Sequence, residues 1–333
     1  MIDLHLHLDG SLNPKNILTM AKMAGIELPY TDEGVIKAKM TVEPDCVSLG
    51  EYLEKFDLPL QLLQTAECIE YAFYELTRDL KAQGLCYAEI RYAPQLHLQR
   101  GLTQTEVVEA AIRGRNRGMR DFGIKVNLIL CCMRGDRNSA ENKETVTTAE
   151  KFLGNGVCAI DLAGNEAAYP TENFKELFAI AKEKAVPTVI HAGEAAGPDS
   201  IRYALESGAV RIGHGIRAIE DRELMRMLKE KNIYLEMCYS SNLQTKAVNK
   251  AYDYPIVKFL SEGLNVTLNT DNLTVSNTSL KKEYNLVQKQ FNISDDTLKT
   301  VAINSVDAAF LPSEEKEKLR IRIDNDFSEW LHK

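Results

Sequence analysis

The sequence lacks the features of a membrane protein or a nucleic-acid-binding protein. No apolar run in its 333 residues is long enough to cross a bilayer. The 48 acidic residues outnumber the 40 basic ones, and a net negative charge disfavours nucleic-acid or anionic-membrane partners. His5, His7 and Asp9 interrupt the apolar segment that a secretory signal needs near the N-terminus. The composition leaves a small neutral substrate open and does not indicate an oligomeric state.

The sequence also lacks any paired cysteine motif. Its seven cysteines are an odd number, and none of them shows Cys-x-x-Cys spacing. Most lie inside apolar stretches, as buried free thiols do in a reducing compartment. We therefore expect a cytoplasmic protein whose cysteines are free.

Short strand-like runs alternate with longer amphipathic runs from end to end. Strict alternation with eight strands predicts an α/β fold, the (β/α)8 TIM barrel. A doubly wound sheet is the alternative, but nothing resembling a dinucleotide fingerprint follows the first strand. No segment is linker-like or repeated, so a single domain over residues 1–333 is expected. The predicted strands are 2–8, 85–92, 125–131, 157–162, 188–191, 211–213, 234–237 and 265–269.

Two segments break this alternation. Residues 13–64 are too long for one helix and contain several turn-forming residues. We interpret them as a helical insertion after strand one that covers the barrel mouth. Residues 276–333 follow the last strand, and they predict three C-terminal helices over 276–290, 294–308 and 313–331.

The first strand carries apolar and polar residues in strict alternation. Ile2, Leu4, Leu6 and Leu8 alternate with Asp3, His5, His7 and Asp9. Successive side chains of a strand point to opposite faces, so one face is apolar and the other carries two imidazoles. A lone His-x-His is weak evidence for a metal site, and the case depends on residues further along the chain.

Chemically active side chains recur where the predicted strands end, which is where barrel enzymes place their active sites. Strand five ends at His191 and Glu194, strand six at His214, and strand eight at Asp271 and Asn272. Four of the six histidines of the chain fall at strand ends. This coincidence favours a catalytic over a structural interpretation.

Three of these imidazoles and the carboxylate of Asp271 could together bind one metal ion. Such a nitrogen-rich set of ligands suits Zn²⁺ and leaves room for a water. Zinc lowers the pKa of such a water toward neutrality. Glu194 is the candidate proton donor to a substrate nitrogen, and His214 could hold or deprotonate the water. Strand four carries no lysine that could bridge two ions, so one metal per chain is expected. The expected metal ligands are His5, His7, His191 and Asp271.

Each of these residues also has a structural interpretation. His191 could be a satisfied core histidine, and Glu194 or Asp271 could cap the following helix. His214, which lies between two glycines, could be a turn residue. Each of these alternatives is credible singly, but all of them together at four strand ends are not.

The ordered set of motifs resembles the adenosine deaminase family of zinc (β/α)8 enzymes over nearly the whole chain. The motifs are His-Leu-His-Leu-Asp-Gly-Ser (5–11), Ser-Leu-x-Glu-Tyr-Leu (48–53), Arg-Tyr-Ala-Pro (91–94), Leu-Cys-Cys-Met-Arg (130–134), Ile-Asp-Leu-Ala-Gly-Asn-Glu (160–166), His-Ala-Gly-Glu (191–194), Gly-His-Gly (213–215) and Leu-Asn-Thr-Asp (268–271).

The resemblance implies a role for each matching residue. It implies that His5, His7, His191 and Asp271 bind zinc, with Asp271 also serving in catalysis and His7 also contacting substrate. Glu194 then protonates purine N1, and His214 activates or orients the hydroxide. The backbone N–H of Gly164 donates to N3, and Asp9 binds the ribose 5′-hydroxyl. The implied reaction is hydrolytic deamination of adenosine, and of 2′-deoxyadenosine, to inosine and ammonia.

One position departs from the family pattern. Asn272 and Leu273 stand where the family usually shows Asp-Pro, and the family's aspartate meets purine N7. Because N7 is an acceptor, an aspartate must bring a proton, whereas an asparagine amide donates without one. We therefore hypothesise that Asn272 keeps this contact and broadens the acid side of the pH profile.

Three other functions remain open at this point. A related adenine-deaminase group tends to carry glutamate at the position of Asp9, so Asp9 favours the nucleoside over free adenine. An N6-modified purine nucleotide is disfavoured because no basic cluster lies beside the motifs. A non-catalytic binding protein on an inherited barrel would lack Glu194 or His214.

Overall fold

The computed structural model describes residues 1–43, 46 and 48–333, and it confirms the predicted α/β barrel. All eight strands occur at the predicted places, with ends that shift by one or two residues. The third strand is the longest because it continues to Met133. The strands are β1 (Ile2–His7), β2 (Tyr87–Tyr92), β3 (Lys125–Met133), β4 (Val157–Ala163), β5 (Val189–Ala192), β6 (Arg211–His214), β7 (Tyr234–Met237) and β8 (Asn265–Leu268).

The strands form two parallel runs of four, in the orders β1-β2-β3-β4 and β5-β6-β7-β8. Single parallel bridges join the two runs at Ile160–Thr188 and Leu6–Asp271. At the second junction, the amide of His7 donates to Asp271 O and the amide of Asp271 donates to His5 O, both at 2.8 Å. The junction that closes the barrel therefore holds three of the predicted metal ligands side by side.

Amphipathic helices connect the strands on the outside of the barrel. Helix N-termini carry side-chain caps, as at Thr103, where Glu106 completes a capping box. Two helices between β7 and β8 were not resolved from the sequence pattern. The helices from β1 to β8 are α1 (Pro14–Ala24), α2 (Glu33–Met40), α3 (Leu49–Leu53), α4 (Asp57–Leu62), α5 (Ala66–Ala82), α6 (Gln104–Phe122), α7 (Ser139–Phe152), α8 (Lys175–Glu183), α9 (Pro198–Glu206), α10 (Arg222–Glu230), α11 (Tyr239–Gln244) and α12 (Ile256–Glu262).

The segment predicted as an insertion holds the four helices α1 to α4. Residues 44, 45 and 47 of that segment lie outside the described residues. The insertion contacts the loop after β8, where Val42 donates to Val275 O at 2.9 Å and Thr41 Oγ1 donates to Thr274 O at 3.1 Å. These bonds place the insertion against the end of the barrel where β8 finishes.

Three helices follow β8, as predicted from residues 276–333. Helix α14 packs against β8 and β1, and α15 packs against α14. The helices are α13 (Leu280–Phe291), α14 (Asp295–Ala308) and α15 (Ser313–His332). No helix among the described residues is both long and apolar enough to span a membrane. All seven cysteines are buried and free.

Candidate active site

A cavity of about 230 Å³ opens at the end of the barrel where the strands finish. Its wall combines polar residues from the strand ends with apolar side chains from the insertion. Among the described residues that line it, none is a lysine or an arginine. The lining residues are His7, Asp9, Leu49, Tyr52, Leu53, Phe56, Leu60, Ala93, Leu96, Cys131, Met133, Ala163, Gly164, His191, Glu194, His214, Asp271 and Asn272.

The structure brings the four predicted metal ligands together. One ligand atom from each of His5, His7, His191 and Asp271 lies within 4.8 Å of all the others. The Nε2 atoms of His7 and His191 are 3.2 Å apart. An oxygen of Asp271 lies 3.5 Å from His5 Nε2 and 3.4 Å from His7 Nε2. Side chains from residues up to 266 positions apart in the chain thus lie close together.

The chemistry of these atoms fits a metal ion. His5 Nε2 is buried, and it has no hydrogen-bond partner among the described residues. Nδ1 of the same ring donates to Glu236 at 2.9 Å, and Nδ1 of His191 faces Asp161 at 2.8 Å. A carboxylate beside each Nδ1 favours the tautomer with the proton on Nδ1, which leaves both Nε2 lone pairs free to bind a cation. Three nitrogens and one carboxylate form a donor set suited to zinc.

Burial and neighbouring charges favour, in His5, His7 and Asp271, the protonation states that a metal needs. Burial lowers the pKa of His5 to about 4, and burial also lowers the pKa of His7. Burial alone would raise the pKa of Asp271, but the neighbouring imidazoles hold it well below its ordinary value. These two imidazoles are therefore neutral and the carboxylate is ionised at neutral pH.

Glu194 and His214 face each other at the edge of the cluster. Glu194 Oε2 lies 3.6 Å from His214 Nε2, and both side chains are buried. Burial raises the pKa of Glu194, which favours the protonated carboxyl that a proton donor needs. The amide of Asn242 donates to Nδ1 of His214 at 3.0 Å, so the neutral ring carries its proton on Nε2.

Two of the structural interpretations, Glu194 and Asp271 as helix caps, do not account for the positions of these residues. Helix α9 begins after Gly197 and has no side-chain cap, so Glu194 does not cap it. Helix α13 is capped by Ser279 and not by Asp271. Asp271 and His214 both adopt left-handed backbone conformations, with φ of 60° and 63°. Such conformations are uncommon for residues other than glycine and cluster at functional sites.

Glu166 is a site residue that the sequence analysis quoted only within a motif. Its buried carboxylate accepts hydrogen bonds from four consecutive backbone amides, those of residues 193 to 196, at 2.7 to 3.0 Å. Ser200 Oγ also donates to it, at 2.5 Å. One carboxylate thus fixes the loop that carries Glu194. An acidic residue soon after a strand end was the only signal available in the sequence.

A buried ion network, formed by Glu89, Arg91, Asp161, Arg211 and Glu236, was also missed. Arg91 lies 2.9 Å from Asp161 and 2.8 Å from Glu236, and Arg211 pairs with Glu236 at 2.7 Å and with Glu89 at 2.5 Å. Asp161 and Glu236 are the residues that contact the imidazoles. Charged residues inside otherwise apolar strands, as in Tyr-Ala-Glu-Ile-Arg-Tyr of β2, were the sequence signal.

The residues expected to contact the rest of the substrate also line the cavity. Asp9 has a buried Oδ1 without a hydrogen-bond partner among the described residues, and burial raises its pKa to about 6. The amide of Gly164 makes no hydrogen bond to any described residue, and its φ of 105° suits glycine. Asn272 donates from Nδ2 to the hydroxyl of Tyr52 at 3.0 Å.

Comparison with known proteins shows the family to which the chain belongs. A family model described as adenosine deaminase matches residues 1–326. The chain belongs to the adenosine deaminase family. It is 47% identical to an adenosine deaminase of Haemophilus ducreyi, over 99% of this chain and 97% of that one. It is 42% identical to an adenosine deaminase of Clostridium perfringens, over 97% of both chains.

Solved structures of related deaminases share the family fold. An adenine deaminase from Arthrobacter aurescens superposes with a TM-score of 0.89 at 28% identity, over 98% of both chains. An N6-methyl-AMP deaminase from Arabidopsis thaliana gives a TM-score of 0.82 at 26% identity, over 98% of this chain and 97% of that one. The family is thus a set of hydrolytic deaminases, and a non-catalytic role for this chain is not supported.

Proposed function

We propose that this chain holds one zinc ion and uses it for the hydrolytic deamination of adenosine to inosine and ammonia. Family membership and the shared name of the relatives support adenosine deamination. The observation that carries the metal assignment is His5 Nε2, a buried and unpartnered atom that faces two further imidazoles and a carboxylate. When bound there, zinc would lower the pKa of a water toward neutrality and supply the nucleophile for purine C6.

The residues around the metal ligands divide the proton chemistry between them. Glu194 is the proposed donor to N1, because burial raises its pKa and the loop that carries it is fixed by Glu166. His214 presents an Nε2–H toward the same space, so the neutral ring is suited to orient the attacking water by donating a hydrogen bond. Asp271, held ionised, is the carboxylate available to accept a proton from that water.

The cavity favours a nucleoside over a nucleotide. We propose that Asp9 binds the ribose 5′-hydroxyl, the amide of Gly164 meets N3, and Asn272 meets N7. A nucleotide would place a phosphate near the cavity, but the described lining residues include no lysine or arginine to pair with it. 2′-Deoxyadenosine is expected to be a second substrate. Adenine and N6-modified purines are the less supported alternatives.

The free and buried state of all seven cysteines suits a reducing compartment, and we propose that the enzyme acts in the cytoplasm. There it would serve purine salvage.

The function is tested by following adenosine ultraviolet absorbance and ammonia release in purified protein of known metal content. We expect adenosine and 2′-deoxyadenosine to be deaminated, and adenine and an N6-methylated adenosine monophosphate to react far more slowly. Glu194→Gln should lose activity by about 100-fold or more and keep its metal. A wild-type protein with bound zinc that prefers adenine or the nucleotide would overturn the substrate assignment.

A further inference from the structure

Among the described residues that line the cavity, Tyr52 is the one phenol, and its hydroxyl contacts Asn272. Asn272 Nδ2 donates to Tyr52 Oη at 3.0 Å, and Tyr52 Oη shares a hydrogen bond of 2.6 Å with Ser276 Oγ. Tyr52 is 2% exposed, so this chain of hydrogen bonds is shielded from water. Tyr52 comes from α3 of the insertion, whereas the other two residues follow β8.

The amide of Asn272 is held in one orientation from both sides. Its Oδ1 is buried and has no hydrogen-bond partner among the described residues. A Cβ on Gly10 would lie 1.8 Å from this oxygen, so the amide occupies space that only glycine leaves free. Oδ1 therefore packs on Gly10 while Nδ2 faces Tyr52. An amide nitrogen carries two hydrogens, and Tyr52 uses only one of them.

We propose that Tyr52 is a positioning residue for the substrate purine, acting through Asn272. The phenol oxygen accepts one N–H of the amide, which aims the second N–H into the cavity as a donor to N7. This inference rests on the proposed function, because it takes adenosine as the substrate and Asn272 as its N7 partner. It adds a residue of the insertion to the set that determines how the base is held.

The asparagine at position 272 and the tyrosine at position 52 complement each other as hydrogen-bond donor and acceptor. An ionised aspartate at 272 has no hydrogen to donate, so a phenol beside it would have to donate instead. The asparagine donates, so the phenol accepts from it and keeps its own hydrogen, while it shares a hydrogen bond with Ser276. The departure from the usual aspartate therefore has a structural partner in the insertion.

The test is a double-mutant cycle of Tyr52→Phe and Asn272→Ala, measured as kcat/KM for adenosine. Tyr52→Phe removes only the hydroxyl and should lower kcat/KM by about 3- to 10-fold, as the loss of one neutral hydrogen bond does. In the Asn272→Ala background the same change should have no effect. Tyr92→Phe is the matched control, because its buried hydroxyl has no described partner and lies outside the cavity. It should leave kcat/KM unchanged.

A second readout separates positioning from packing. 7-Deazaadenosine lacks the N7 acceptor, so its competitive inhibition constant should be the same for the wild type and Tyr52→Phe. Equal losses for adenosine and for the analogue, or an undiminished effect of Tyr52→Phe beside Asn272→Ala, would overturn the proposal. An unchanged kcat/KM in Tyr52→Phe would overturn it too.

Two further measurements keep the result interpretable. If Tyr52→Phe does not fold, Ser276→Ala removes the other partner of the hydroxyl and should show the same coupling to Asn272→Ala. A wild type that leaves adenosine unchanged overturns the proposed function and this inference with it. That result differs from an active wild type in which Tyr52 and Asn272 are uncoupled, which overturns this inference alone.

Discussion

The barrel interior contains two sets of polar groups that differ in whether their charges face opposite charges of the protein. In the buried ion network, each charge lies within 2.9 Å of an opposite one. At the mouth, His5 Nε2 and Asp9 Oδ1 have no hydrogen-bond partner among the described residues. Because an unpartnered buried polar atom is costly, such atoms are explained when a ligand completes them. The network thus holds the barrel and contacts two of the proposed metal ligands, His5 and His191, and the mouth is arranged for what binds there.

Removing one charge from the buried ion network should give the largest loss of stability. Arg211→Met leaves Glu89 without its arginine and Glu236 with one arginine instead of two, inside the barrel. Removing one partner of a buried ion pair typically costs about 3–5 kcal/mol. We expect a loss of that size in the free energy of unfolding by urea. The control Arg226→Met changes an exposed pair on α10 and should alter stability by less than about 1 kcal/mol. Equal losses in the free energy of unfolding for the two variants would show that the buried network is no more important for stability than a surface ion pair.

Removing a proposed metal ligand at the barrel mouth should lower activity and not stability. His7→Ala removes a proposed ligand whose described contacts are His191 and Asp271. We expect more than about 100-fold loss of kcat/KM together with loss of bound metal, since even outer-shell partners are worth 10- to 100-fold. The metal-free variant should unfold at a urea concentration equal to or above that of metal-free wild type. A metal-free variant that is much less stable would show that His7 is structural.

Much of this organisation could be predicted from the sequence. Regular alternation of apolar and amphipathic segments is local, so it placed all eight strands and the helical insertion. The residues His5, His7, His191, Glu194, His214 and Asp271 were found because their types are unusual at strand ends. The bounds were less certain, since β3 continues to Met133 through residues that are equally compatible with a loop.

The remaining contacts are pairings in space that no local pattern encodes. Glu236 and His5 are 231 positions apart, and Tyr52 and Asn272 are 220 apart. A charged residue in an apolar strand indicates a buried partner without identifying it. Glu166 lies in a recognisable motif, but its four amide donors lie about thirty residues further along the chain. Whether the chain forms a single domain, as expected from the absence of linkers, stays a prediction.

Glu236 belongs to the buried ion network and also contacts a proposed metal ligand, so its substitution should have an intermediate effect. Glu236 accepts from His5 Nδ1 and also pairs with both arginines of the network. Glu236→Gln should lower metal affinity by about 10- to 100-fold, because the imidazole loses its orienting carboxylate. Metal release to a competing chelator measures this change. The matched control is Glu230→Gln on the surface of α10, which should release metal as the wild type does. Unchanged metal affinity in Glu236→Gln would show that the network only stabilises the fold.

Loosening the Glu194 loop should give the smallest effect. In Glu166→Gln, an amide nitrogen replaces one of the two oxygens that accept from residues 193 to 196. We expect kcat to fall by about tenfold while metal content stays at the wild-type level, because a small misplacement of the proton donor reduces the rate. The exposed Glu172→Gln is the control. A fall in metal content to match the fall in kcat would instead assign Glu166 to the metal site.

The central claim is that four side chains from β1, β5 and the end of β8 share one ion. Crystals of zinc-loaded protein, measured on both sides of the zinc absorption edge, test it directly. We predict a single anomalous peak within about 2.0–2.2 Å of Nε2 of His5, His7 and His191 and of an oxygen of Asp271. An anomalous peak at another position, or a second ion of equal occupancy at the mouth, would contradict the claim that these four side chains share one ion.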